Sequence, residues 1–143
     1  MAKPDPRALL RRLYDEVLGK GRLDVLDELL APNFSDRNMP VDGRRGKDTF
    51  LETVVNFRTA FPHAVWTISE VTVIGDVITA RIGWEGKHEG EFLELPPTGE
   101  TMQAESLSSF RLLNGQFVEH WSGESKSNVV DKLGFTAPPG SRN

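Results

Sequence analysis

The chain has 143 residues, no cysteine and a formal net charge of −4 at neutral pH, with 38% hydrophobic and 27% charged residues. That length suffices to bury one core without staples, and the lack of cysteine excludes disulfides, thiolate nucleophiles and Cys-based metal sites. The acidic balance argues against a nucleic-acid partner, which needs a concentrated basic surface, and no apolar run approaches the roughly 20 residues of a membrane span.

The opening segment, MAKPDPRALLRRLYDEV, has no apolar signal core, so a cytoplasmic location is expected. Asp5-Pro6 reads as an N-cap followed by proline in the first helical turn. Leu9, Leu10, Leu13, Tyr14, Val17 and Leu18 repeat at three- and four-residue spacing, the mark of one helical face. Gly19 and Gly21 end that helix. A second short helix carries Leu23, Leu26, Leu29 and Leu30, with Pro32 following its end. A third begins near Gly46, buries Phe50, Val54, Phe57 and Phe61, and stops before Pro62.

From Val65 the period changes to two. The stretch to Ile74 alternates, Gly75-Asp76 turns the chain, and Val77–Trp84 follows with many β-branched residues. A loop containing Pro96-Pro97-Thr98-Gly99 has the composition of a lid. It leads to a third strand over Glu100–Leu112. Asn114-Gly115 signals a two-residue hairpin, and Gln116–Ser125 returns as the fourth strand. A last helical turn or two carries Val129, Val130 and Leu133, closed by Gly134. The reading is one domain over residues 1–143, with its core at about 7–134 and a tail at 136–143. Helices gathered before an antiparallel sheet imply a two-layer α+β fold.

His63, His88 and His120 lie far apart and lack metal-ligand spacing, so neither metal nor cofactor is expected. Arg44, Arg45 and Lys47 read as a solvated loop entering a helix. Glu85, Glu89, Glu91 and Glu94 read as a solubilising run.

Three stretches, in this order and spacing, carry a resemblance: YDEVLGKGRLDVLDELLAPNFSDRN, HEGEFLELPPTGE, and FRLLNGQFVEHW followed by a segment ending in KLG. Together they resemble the SnoaL-like polyketide cyclases of the nuclear-transport-factor-2-like superfamily, over about Arg7 to Gly134. The resemblance implies a cystatin-like α+β barrel: a curved antiparallel sheet wrapped round three N-terminal helices, enclosing a conical pocket. It also implies a homodimer joined through the outer sheet face.

In the aldol-type cyclases of that family an aspartate directly after the HW pair is the general acid/base. A histidine two residues before the phenylalanine of the FR pair supports it. Those positions are Ser122 and Ser108 here, and the family's Asp-His pair near the second helix is Asp36-Arg37, which can form a local ion pair. If Ser108 and Ser122 face inward, strand alternation turns Met102, Ala104, Ser106 and Phe110 the same way, with Val118, His120 and Glu124 beside them. Leu107, Phe117 and Trp121 then face outward, as a dimer surface.

The candidate catalytic residues are therefore His120, Glu124 and Ser122. Glu124 is a carboxyl group at the strand end, and His120 is of the residue type most often used in acid/base work. The candidate substrate-binding residues are Tyr14, Asn38, Phe57, Trp84, His88, Met102, Ser106 and Ser108. The expected partner is a small, mostly apolar polyketide. Three functions remain open: cofactor-independent ring closure by shape, as in a Diels–Alder-like reaction; acid/base aldol cyclisation or isomerisation through Glu124 or His120; and a non-catalytic binding module.

Overall fold

The computed structural model describes residues 5–37, 46–92 and 94–127, with the backbone alone for 124–127. Asn38, the expected C-terminal helix and the tail lie outside the described residues. Helix α1 (Pro6–Arg12) starts where the sequence places it: the Asp5 carboxylate accepts from the Arg7 N–H at 3.0 Å, and Pro6 occupies the first turn. The helix runs on into a π-helical segment, Leu13–Leu18, closed by Gly19 N–H donating to Tyr14 C=O at 2.9 Å. Leu9, Leu10, Leu13, Tyr14, Val17 and Leu18 form its buried face. The Arg58 guanidinium donates to the Leu18 carbonyl at 2.8 Å, so helix α3 (Gly46–Ala60) caps this end. Gly21 is required beneath it. Its φ is +75°, and a Cβ would stand 2.7 Å from Arg58 Nε.

Helix α2 (Leu23–Leu29) passes without a loop into a strand, β1 (Leu30–Asp36), which the sequence does not announce. The sheet continues with β2 (Val65–Ile74), β3 (Val77–Lys87), β4 (Thr101–Leu113) and β5 (Gln116–Ser127), in the order β1-β5-β4-β3-β2. β1 runs parallel to β5 while the other pairs are antiparallel, so the sheet is mixed and open rather than wholly antiparallel. Pro32 reads as a breaker, yet β1 lies at the sheet edge, where a missing backbone donor is tolerated.

Bulges bend the sheet and reassign its faces. Glu70, at φ +53°, interrupts the β2–β3 register between Ser69 and Thr72. Trp66 and Ile68 therefore pack inward before it, and Val71 and Val73 after it. A second bulge shifts the β4–β5 register between Arg111 and Leu112, leaving Val118 unpaired. It corrects the expected alternation: Phe117 points into the core, fully buried, with its ring 4.8 Å from Phe110. Beyond the bulge Trp121 faces outward as expected. Arg37 lies 4.5 Å above its ring and Arg111 5.9 Å away. The Asn114-Gly115 turn has positive φ at both positions, as its type requires.

The main core lies between the helices and Ile78, Ala80, Ile82, Phe110 and Phe117 of the sheet. A second, smaller core of Ala60, Phe61 and Met102 sits beyond the end of α3, with Trp84 and Phe92 against it.

Candidate active site

A cavity of about 350 Å³ opens between the helices and the inner sheet face, within the size range of small-molecule sites. One wall is aromatic. Phe57 of α3 packs against Trp66 at 5.0 Å and Trp84 at 4.7 Å, and Tyr14 meets Trp66 at 5.2 Å. The facing wall comes from β4 and β5 and carries Ala104, Ser106, Ser108, His120 and Ser122. These residues share a wall because Ser108 pairs with Ser122, and Phe110 with His120, across the two strands.

Hydroxyl groups run along that wall. Ser106 Oγ and Ser108 Oγ lie 3.1 Å apart, and Ser108 is hydrogen-bonded to the Tyr14 phenol. Burial, reinforced by the negative Asp36, pushes the Tyr14 hydroxyl well above the ordinary phenol range. It stays protonated at any physiological pH, so it offers a proton to hydrogen-bond without giving it up.

The principal polar contact is one the sequence conceals. His120 Nδ1 lies 2.7 Å from Asp36 Oδ2, with 13% of the histidine side chain exposed and only 2% of the aspartate. A carboxylate only accepts, so Nδ1 carries the hydrogen and Nε2 is the ring's basic nitrogen. Phe110, 4.5 Å away, and Phe50, 6.3 Å away, pack against the imidazole. Burial among these rings makes the Asp36 contact stronger than it would be in water. The expected Asp36–Arg37 ion pair does not form; Arg37 turns outward to Glu119, 2.7 Å from Nε to Oε2.

Seven of the eleven sequence-derived candidates line this cavity: Tyr14, Phe57, Trp84, Ser106, Ser108, His120 and Ser122. Glu124 has its backbone in β5, and its side chain lies outside the described residues, as does Asn38. His88 and Met102 are not among the lining residues; both are fully buried around the second core. His88 accepts from the Thr98 backbone N–H at 3.2 Å through Nδ1, and the Gly99 N–H donates to its carbonyl at 3.0 Å. The Pro96–Gly99 segment is thereby pinned to the strand end. Among the described residues, Leu18, Phe50, Thr53, Val54, Trp66, Ile82 and Glu105 also line it. Phe50 and Val54 were legible as the buried stripe of α3. Trp66 was not, because a two-residue period alone does not say which set faces inward.

The family model for the SnoaL-like polyketide cyclases matches residues 8–133. The chain belongs to the SnoaL-like polyketide cyclase family. No curated protein matches the sequence. Among solved structures, the chain is 27% identical to wild-type IdmH, a proposed polyketide cyclase from Streptomyces antibioticus, covering 92% of this chain and 99% of that one, with a TM-score of 0.74. A proposed SnoaL-like polyketide cyclase from Jannaschia sp. CCS1 is 25% identical, covering 97% and 100%, also at 0.74. AclR, a proposed hydroxylase from Streptomyces galilaeus, shares the fold at 20% identity, with coverage of 93% and 84% and a TM-score of 0.73. In this member of the SnoaL-like family, two serines occupy the positions where the resemblance puts an acid/base pair. A histidine two residues from one of them has its own carboxylate partner.

Proposed function

We propose that the protein is a cofactor-independent cyclase of natural-product biosynthesis that closes a ring within a flexible, mostly apolar polyketide, with His120 moving the proton. The observation that carries this reading is the buried His120–Asp36 contact on the cavity wall. Asp36 holds the imidazole in one tautomer and stabilises the imidazolium that forms when Nε2 takes a proton from an activated carbon. That carbon attacks a second carbonyl of the same chain, and the imidazolium returns the proton to the alkoxide oxygen so formed. The aromatic wall supplies apolar surface against which the chain folds back, and the Tyr14 phenol and serine hydroxyls supply donors for its carbonyl oxygens. Donors aimed at the oxygen on which negative charge gathers stabilise the enolate.

Closure by shape alone is the second reading. It is favoured by Ser108 and Ser122, which lie opposite each other where a proton carrier would otherwise stand. A pericyclic closure needs only orientation, which supplies up to roughly 7–11 kcal/mol in ideal intramolecular cases. A binding module would instead return its ligand unchanged.

Deleting the gene tests the function: an uncyclised chain should accumulate, and the purified protein should convert it to the cyclic product. Recovery of the same chain unaltered from the protein would overturn the cyclase reading.

A further inference from the structure

We infer that Arg37 and Glu119, on the outer face of the sheet, are positioning residues for the His120–Asp36 pair on its inner face; the catalytic meaning of this clamp rests on the reading above. Three observations lead there. First, β1 is weakly registered. Its pairing with β5 jumps from Leu30↔Phe117 to Ser35↔Glu119, and Pro32 in the interval has no N–H to give. The register that matters, Asp36↔His120, is held by the two rungs at Ser35 and Asp36 and by the Arg37 N–H donating to the His120 carbonyl at 2.9 Å.

Second, strand alternation puts the neighbours of the pair on the opposite face, where they grip each other. Arg37 Nε donates to Glu119 Oε2 at 2.7 Å, and its guanidinium lies 4.5 Å above the Trp121 ring. Arg111 of β4 donates to the other Glu119 oxygen at 3.3 Å and to Asp76 at 2.8 Å. Glu119 and Trp121 flank His120 on β5, and Arg37 follows Asp36 on β1. The clamp therefore spans the residues whose spacing sets the Nδ1–Oδ2 distance.

Third, an isolated exposed ion pair holds little, but this one is a network of two arginines on one carboxylate, with a ring beneath one of them. Arg37 and Arg111 together hold the Glu119 carboxyl below its usual range. The arrangement suits a strand end whose pairing with β5 jumps register between Leu30 and Ser35.

The test uses the ligand-free full chain, so it does not depend on knowing the substrate. A histidine Nδ1–H donated to a buried carboxylate gives a far-downfield proton resonance, assigned by its absence in His120→Gln. Arg37→Met should shift that signal upfield or broaden it beyond detection. Arg37→Lys, which keeps a charge for Glu119, should restore it in part. Arg22→Met, an exposed ion-pair arginine far from the pair, should leave it in place. Should Arg37→Met fail to fold, Glu119→Gln carries the same expectation with a smaller structural change. An unaltered His120 resonance in a folded Arg37→Met or Glu119→Gln protein overturns the clamp. Undiminished cyclisation by His120→Gln would instead overturn the proton-transfer reading, and the resonance would still decide the clamp.

Discussion

The imidazole of His120 and the carboxylate of Asp36 meet at 2.7 Å although 84 residues separate them in the chain. Everything catalytic in this account follows from that contact. Asp36→Asn should preserve the fold but remove the acceptor that fixes the tautomer and stabilises the imidazolium. A fall in kcat of about 10²–10⁴-fold is expected, with KM little changed. Steady-state turnover of the accumulated uncyclised chain, read by mass spectrometry, measures it.

Ser106 stands between Ala104 and Ser108 on the polar wall, facing the aromatic one. Replacing it by Phe should fill the cavity and exclude a guest without touching the main core. Binding of an apolar fluorescent dye such as 8-anilinonaphthalene-1-sulfonate should weaken by at least about 10-fold, a loss of roughly 1.4 kcal/mol. Trp66 and Trp84 line the same cavity, so quenching of their emission gives a second reading of occupancy.

Tyr14 is the only tyrosine in the chain, which makes alkaline titration informative. Its folded pKa is raised above the ordinary value of 10.0. In the unfolded chain the phenol ionises above that value, whereas in the folded protein it stays neutral. The unfolded state therefore binds fewer protons, and stability present below pH 10 is lost as the pH climbs beyond it. Melting temperatures should decline above this pH together with the appearance of phenolate absorbance. Tyr14→Phe should be less stable at neutral pH, through loss of its Ser108 bond, yet show a flatter alkaline decline.

Phe117 is fully buried beneath the bulge and packs on Phe110. Phe117→Ala should cost about 3–5 kcal/mol in urea unfolding, the range for truncating a core aromatic. If Phe117 faced outward, as uninterrupted alternation would have it, the cost would stay below about 1 kcal/mol.

Local patterns carried much of this structure. The leucine spacing of α1, the Phe50–Val54–Phe57 stripe of α3 and the Asn114-Gly115 turn are short-range signals, and each is realised within a few residues of where it is read. Strand alternation likewise brought Ser106, Ser108, His120 and Ser122 to one wall. Non-local features were hidden. β1 pairs in parallel with the last strand, and its Pro32 reads as an end, so Asp36 reads as a loop residue facing Arg37 rather than a partner for His120. A bulge is one residue of extra chain with no compositional mark, which is why uninterrupted alternation turns Phe117 to the wrong face. His88 sits in a motif of the family resemblance, and its burial against Phe61 shows that it anchors the Thr98 segment instead of facing the cavity.

The most direct measurement is the single-turnover rate of cyclisation of the accumulated linear chain, comparing the parent protein with His120→Gln. Proton transfer through His120 predicts a rate at least about 10²-fold lower in the variant. Cyclic product formed by His120→Gln at the parent rate would contradict it.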